Sequence, residues 1–556
     1  MAINQMSVPG PLRIPMRWAA LLLLALAILT TVIVRIRMLD FPLERDEGEH
    51  AYAGQLLLEG IAPYQLAYSS QKMPGIYLAY AALMSVFGQT PAGIHLGLLA
   101  VHLGTLAVLF LIARRYLDLH GSATATAAYT LMTLSPAYLG LAAHATHFVV
   151  LPALLGTWLL IRGEKYRRVS VCIASGVLFG MAFLMKQPGM FFGIFGGLLL
   201  GGNCIAAKMK WRTVFARLGV YSLGCVLPFL AVCMWLKIAG VFPRFWFWTV
   251  TYALEYVAVL PFSAGIECAK AGFASVFRAA PLLWSMAGLG LASVCATRMA
   301  SGTRLFFLGF FVFSFVAVCP GFYFRAHYFI VLAPAVAMFV GLTVSRIGTW
   351  LEDRGSAQWL RHLPLLLAAA ACAQSLYADR AVLFTLTPRE ACRAVYGVNP
   401  FFESLDIARH IEQDTRKDQR IVVIGSEPQI YFYARRHSST GQIYTYSLME
   451  PHAFARKLQE DMIREIEQNP PEYLVFVSIA SSWLARPDSS RVLLDWLDGY
   501  ISQNMQPEGL VQIIDEKTTD IVWGSEAATA PLRSQFFIYI FKKHHAPAPL
   551  SLPPAG

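Results

Sequence analysis

Between Trp18 and Tyr377 the chain repeats apolar runs of about 17 to 25 residues, each long enough to cross roughly 30 Å of hydrocarbon, and beyond Tyr377 the runs stop. Lipid offers no partner to a backbone amide, so runs of this kind fold as helices that satisfy their own N–H and C=O groups. The expected class is therefore a polytopic α-helical membrane protein. Its composition, 56% hydrophobic and 14% charged, is not that of a soluble globule.

Charge gives the threading. The last 177 residues hold 18 Lys and Arg against 21 Asp and Glu, so the net charge of +11 belongs to the first 379 residues. Basic residues gather in short loops, with Arg114 and Arg115, Arg162, Lys165, Arg167 and Arg168, Lys208, Lys210 and Arg212, Arg298 and Arg304, and Arg346 and Arg354. Such loops face the cytoplasm, which argues for positive-inside threading and against a nucleic-acid partner. With Arg13 and Arg17 also inside, eleven spans fall near 17–36, 91–113, 121–140, 146–161, 169–185, 189–206, 217–238, 281–297, 305–319, 327–345 and 363–379. The count requires the short apolar segment 74–88 to lie in the membrane plane. The expected transmembrane domain is 1–379, with a first outer loop at 37–73.

Residues 380–545 change character. The runs "RIVVIG", "EYLVFV", "LVQII" and "QFFIYIF" alternate with the helical patterns "FFESLDIARHIEQ" and "HAFARKLQEDMIREIEQ". This predicts an extracytoplasmic α/β domain with a largely parallel sheet. Neither G-x-G-x-x-G nor a P-loop marks a nucleotide site. The tail 546–556 is expected to be disordered. Cys268 and Cys392 stand in polar segments where a disulfide is one option, while the other seven cysteines lie in or beside apolar runs.

The first outer loop carries Glu44, Asp46, Glu47 and Glu49 within six positions. One reading is a helix start, with Asp46 as N-cap, Glu49 three residues on and Gly60 as the stop. That leaves Glu44 and Glu47 beside a low-dielectric surface, where carboxylates lose solvation and need partners. Capping and chemistry both remain open on spacing alone.

The run Arg45-Asp46-Glu47, followed by "YAGQLLLEGIAPY" and "KMPGIY", resembles the first outer loop of glycosyltransferase family 39, the lipid-linked sugar transferases of the GT-C fold that include protein O-mannosyltransferases and lipid A aminoarabinose transferases. "YFRAHYFIVLAPAVAM" and "IGSEPQIYFYARR" are similar to bacterial members. The resemblance implies Asp46 as the catalytic carboxylate, with Glu47 beside it in the same pair, and a polyprenyl-phosphate-linked sugar as donor. A base that takes the proton of an attacking hydroxyl contributes roughly 10²- to 10⁴-fold. One base and one displacement imply inversion at the anomeric carbon.

A departing phosphate needs fixed positive charge, and Lys72, Lys186, Arg325 and His327 are all placed at the outer mouth of the bundle. Snorkelling is the plainer account of Lys186 and Arg325, and an interfacial aromatic belt that of Tyr323 and Tyr328. His144 and His147 share a helical face and form the candidate pair for a divalent metal ion. His95 and His102, seven apart in a span, are expected to hydrogen-bond across the bundle. The expected function is an inverting glycosyltransferase of the bacterial inner membrane, transferring a sugar to an envelope lipid, glycan or protein. A transporter or flippase of a lipid-linked or anionic substrate is the alternative from another class.

Overall fold

The computed structural model describes residues 16–68, 71–162, 168–296, 299–357 and 359–544. The expected loop residues Arg13, Lys165, Arg167 and Arg298, and the tail 546–556, lie outside them. The membrane half comprises α1 (Met16–Arg37), α2 (Arg45–Leu58), α3 (Pro74–Phe87), α4 (Pro91–Tyr116), α5 (Leu119–Met132), α6 (Ala145–Ile161), α7 (Val169–Met185), α8 (Met190–Ala206) and α9 (Trp211–Ile238). Then follow α10 (Phe242–Trp246), α11 (Tyr252–Ala258), α12 (Phe262–Ala279), α13 (Pro281–Ala296), α14 (Ser301–Val316), α15 (Ala333–Asp353) and α16 (Leu363–Ala378).

Each expected span coincides with a helix. Five among the described residues are long and apolar enough to cross a membrane unaided: Arg17–Arg37, Pro91–Tyr116, Gln187–Ala206, Trp211–Ile238 and Ala333–Asp353. The stretch between the expected spans 217–238 and 281–297 is helical as well, Phe242–Ala258 meeting Phe262–Ala279 at 92°. α5 stops short of its expected end because Ser135-Pro136 opens a separate 3-10 turn. α15 starts late because Ala326–Val331 also winds as a 3-10 turn. Greasy side chains stay exposed along the helices, such as Leu26 and Leu29 on α1 and Leu230, Met234 and Ile238 on α9. A belt of this size on an isolated chain marks a surface for lipid, and the protein is an integral membrane protein. Small residues bring the helices together: a Cβ on Gly176 of α7 would lie 2.2 Å from the Tyr221 carbonyl of α9.

The C-terminal half opens with α17 (Pro388–Tyr396) and α18 (Glu403–Asp414) and is built on five strands, β1 (Ile421–Ile424), β2 (Tyr473–Ser478), β3 (Met505–Ile513), β4 (Thr519–Trp523) and β5 (Phe537–Lys543), in the order β1-β2-β5-β3-β4. Only β1 and β2 are parallel. β5 inserts antiparallel between β2 and β3, and β3 and β4 form a hairpin, so the expectation of a largely parallel sheet fails. The hairpin turns at Asp515, whose carboxylate accepts from the N–H groups of Lys517 and Thr518, a local bond that reverses the chain. Cys268 and Cys392 are free thiols.

The sheet half and α2 share one apolar core. Tyr52 and Leu56 of α2, Ile76 and Tyr80 of α3, Ile421 and Val423 of β1, and Tyr473 and Val475 of β2 belong to the same buried cluster. α2 lies against α19 (Gln429–Ala434), the nineteenth helix in chain order after α17 and α18. At the crossing Gly48 approaches so closely that an added Cβ would meet the Gln429 backbone nitrogen at 2.5 Å and its Cα at 2.8 Å. Gly48→Ala is expected to destabilise the protein by about 1–3 kcal/mol through overpacking against backbone. Thermal unfolding in detergent checks this, with an unchanged midpoint as the contrary result.

Candidate active site

The start of α2 differs from its sequence reading by two residues. Glu44, not Asp46, is the N-cap: its carboxylate accepts from the Glu47 N–H at 2.9 Å, and Glu47 returns the bond to the Glu44 N–H at 3.2 Å. The helix ends as expected, with Gly60 at φ +83° just past the Glu59 cap. Asp46 is thereby released from capping and projects from the first helical turn.

Glu47 is fully buried and committed elsewhere. Its Oε1 accepts from the Ala143 N–H at 2.5 Å and stands 3.1 Å from His95 Nε2, while Tyr80 donates to the Ala143 carbonyl at 2.7 Å. Glu47 thus fixes the turn before α6, and it does not line the cavity that Asp46 lines. Glu49 accepts from Tyr77 OH at 2.8 Å. His95 bonds to the loop through the Leu39 carbonyl at 2.8 Å and to α2 through Glu47, so the expected cross-bundle bonding is seen for His95. It is not seen for His102, whose ring nitrogens are buried without a hydrogen-bond partner among the described residues and whose ring stacks on Tyr129.

Asp46 sits among cations and imidazoles. Its Oδ1 is 2.7 Å from Lys72 Nζ and accepts from Tyr444 OH at 3.1 Å, and its Oδ2 is 4.0 Å from both His144 Nδ1 and His327 Nε2. Burial alone would favour the neutral acid, but Lys72 and His327 hold its carboxyl well below the usual carboxylate range. Glu44 takes the opposite course, pushed up to about 8 by burial and by the charges of Asp46 and Glu47. Burial also lowers His327, and it brings His144 down to about 4. Lys72 is raised, because Asp46 and Glu49 outweigh its desolvation.

These groups come from helix breaks, which is why they meet. Lys72 lies just before the extended Met73 that caps α3, His144 is the residue preceding α6, Lys186 terminates α7, and Arg325 and His327 open a 3-10 turn. A cavity of about 1060 Å³, counted out to its mouth, is lined by Asp46, Lys72, Lys186, Arg325, His327 and Tyr328. All four expected phosphate-binding residues and the expected base therefore line one space. Elsewhere its wall is apolar, including Met73, Val149, Met185, Val257 and Val331. Lys186 rests 4.1 Å from the Tyr328 ring centre, and Arg325 lies over Tyr323 at 5.3 Å. Those tyrosines hold the cations in place, a role the aromatic-belt reading did not contain.

His147 is not in this group; its ring meets His102 edge-on at 6.5 Å inside the bundle. The metal-like cluster is instead Asp46, His144 and His327, whose ligand atoms lie within 4.8 Å of one another. It does not fit an ion as it stands. The two imidazoles are stacked at 4.2 Å and 12°, so their in-plane lone pairs run nearly parallel instead of converging on a point about 2.0–2.1 Å away. Lys72 moreover already occupies Asp46.

Sequence reasoning missed the residues through which the C-terminal half holds the site. Arg45, beside Asp46, donates to the Ser426 carbonyl at 2.6 Å, Tyr446 OH at 2.9 Å, Asn399 Oδ1 at 3.1 Å and Glu427 Oε1 at 2.9 Å. Tyr444 reaches Asp46 itself. The only signal in the chain was the "IGSEPQIYFYARR" stretch, which supplies Ser426 and Glu427.

The architecture is found in solved structures. ArnT from Cupriavidus metallidurans bound to undecaprenyl phosphate superposes with a TM-score of 0.58 over 91% of this chain and 99% of that one, at 15% identity. The archaeal oligosaccharyltransferase AglB from Archaeoglobus fulgidus, in complex with an inhibitory peptide and a dolichol-phosphate, gives 0.52 over 93% of this chain and 75% of its own, at 12% identity. The chain has the GT-C fold. The profile of the dolichyl-phosphate-mannose-protein mannosyltransferase family matches residues 71–235, bearing out the family 39 resemblance over a stretch that includes Lys72, His144 and Lys186 but not Asp46. No curated protein sequence matches the chain.

Burial, with Lys72 close by, lowers the Lys186 ammonium to about 7 against the pull of Asp46. A group so lowered is charged below that pH and neutral above it. If anion capture needs this charge, kcat/KM falls as pH rises through about 7, and Lys186→Arg removes that alkaline limb because guanidinium stays charged. An unchanged limb in the variant is the contrary result.

Proposed function

We propose that the protein is an inverting glycosyltransferase that moves a sugar from a polyprenyl-phosphate donor to an envelope lipid, glycan or protein, on the extracytoplasmic side of a bacterial inner membrane. The observation that carries this reading is the single cavity in which Asp46 meets Lys72, Lys186, Arg325 and His327 beneath an apolar wall. An isoprenoid chain suits the apolar wall, and its phosphate suits the cations. The relatives support the same chemistry, since ArnT is bound to undecaprenyl phosphate and AglB to a dolichol-phosphate.

In the reaction an acceptor hydroxyl attacks the anomeric carbon, its proton passes to Asp46, and the carbon–oxygen bond to the polyprenyl phosphate breaks. The electron pair leaves on the phosphate, where Lys72, Lys186 and Arg325 stabilise it. The resting Asp46–Lys72 contact at 2.7 Å makes Asp46 a weak base until the donor arrives. A phosphate competing for Lys72 draws the ammonium away and restores basicity at the moment the acceptor needs it. Glu47 acts in this scheme by position, holding the turn that presents His144.

Asp46→Asn is expected to lower transfer of radiolabelled sugar in membranes by about 10²- to 10⁴-fold at unchanged protein level. Glu47→Gln is expected to lower thermal stability together with activity, because it weakens the bonds to His95 and Ala143. Full activity in Asp46→Asn would move the base elsewhere.

A further inference from the structure

Beyond Asp46 the cavity continues into a second, smaller chamber of about 360 Å³ counted to its mouth, and the two share Asp46, Gln71, Lys72, Tyr256 and Arg325. Its character is different. Four tyrosines, Tyr252, Tyr256, Tyr444 and Tyr446, line it with Glu450. Three of these five come from the C-terminal half and two from α11, so the chamber exists only where the halves meet.

The walls are fixed in advance. Tyr252 donates to Glu450 Oε2 at 2.5 Å, Tyr256 stacks on Tyr323 at 4.8 Å and 22°, Tyr444 donates to Asp46, and Tyr446 is held by Arg45. Rigid phenol rings with hydroxyls suit a ligand that has apolar C–H faces and a rim of hydroxyls, which describes a sugar ring. Glu450 is acceptor-only when ionised, and no ion pair engages it among the described residues. The cations on its border are already committed: Lys72 to Asp46 in the resting state, and Lys72 and Arg325 to phosphate in the proposed complex.

We propose that this chamber receives the sugar of the lipid-linked donor, with Glu450 accepting hydrogen bonds from its hydroxyls, and that it takes a single non-acidic monosaccharide in preference to a uronic acid. This rests on the polyprenyl-phosphate reading above and deepens it. The placement follows from connectivity. If the phosphate lies at the shared cations and the isoprenoid in the apolar cavity, the anomeric carbon is directed past Asp46 into the tyrosine chamber. The volume suits one ring and not a preassembled oligosaccharide. Selection against a uronic acid follows from charge, because its carboxylate would face Glu450 and Asp46 while the two cations that line the chamber, Lys72 and Arg325, are engaged by the phosphate.

The test measures binding of the full-length protein in nanodiscs to bare polyprenyl phosphate and to its pentosyl, hexosyl and hexuronosyl derivatives. The wild type should bind at least one neutral sugar derivative about tenfold more tightly than bare polyprenyl phosphate, and the hexuronosyl one no more tightly than the bare lipid. Glu450→Gln and, separately, Tyr252→Phe, which removes the hydroxyl that holds Glu450, should erase most of that gain while leaving affinity for the bare lipid unchanged, which also certifies that each variant is folded. The inference is overturned if no neutral sugar adds affinity, if the hexuronosyl derivative binds best, or if both variants keep the gain. Failure of the wild type to bind bare polyprenyl phosphate would instead sink the glycosyltransferase reading.

Discussion

The arrangement depends on Arg45. One guanidinium, buried at the start of α2, ties that helix to Ser426, Glu427, Asn399 and Tyr446 of the C-terminal half. A buried ion pair such as Arg45–Glu427 adds little net stability, because desolvating two charges offsets their attraction. What it does supply is register: with five N–H donors in a rigid plane, only one placement of α2 satisfies all four partners. Asp46 is the next residue, so fixing Arg45 fixes the carboxylate. Gly48 completes the constraint by letting α2 settle onto α19.

Electrostatics then separates four neighbouring carboxylates into different roles. Glu44 and Glu47 cap the helix reciprocally, and Glu47 carries two further bonds deep in the protein. Glu49 faces Tyr77 and the field of Lys72. Asp46 alone looks into the cavity, where Lys72 keeps it charged. Environment pushes Glu44 up and Asp46 down within three residues, the pattern by which adjacent acids acquire distinct chemistry.

Much of this was legible in the chain, and the failures are instructive. Apolar run length located the helices, and helix breaks located Lys72, Lys186, Arg325 and His327, because charged side chains collect where spans end. The cap was misplaced because Glu44-x-x-Glu47 and Asp46-x-x-Glu49 fit the same template, and bonds from His95 and Ala143, 48 and 96 residues away along the chain, chose between them. The metal pairing erred in the same way: i, i+3 spacing joined His144 to His147, whereas the fold stacks His144 on His327. Strand β4, "TDIVW", carries an aspartate and too few apolar residues to announce itself, and missing it hid the hairpin that makes the sheet antiparallel.

The segment that delivers Arg325 shows how far the fold goes to place one charge. Phe322 and Phe324 adopt φ of +56° and +44°, in the left-handed region that costs a side-chain-bearing residue roughly 1–2 kcal/mol each. Such strain persists only where the surroundings over-determine it. Here they do: α12 presents Gly265 to the Phe322 side chain, where a Cβ would approach to 2.6 Å, and Gly272 to the Phe324 carbonyl at 2.7 Å. The bent helix pair between α9 and α13 is therefore a seat for this strained turn. By holding it, α12 keeps Arg325 at the border between the apolar cavity and the tyrosine chamber, where a lipid phosphate would pass from one environment to the other.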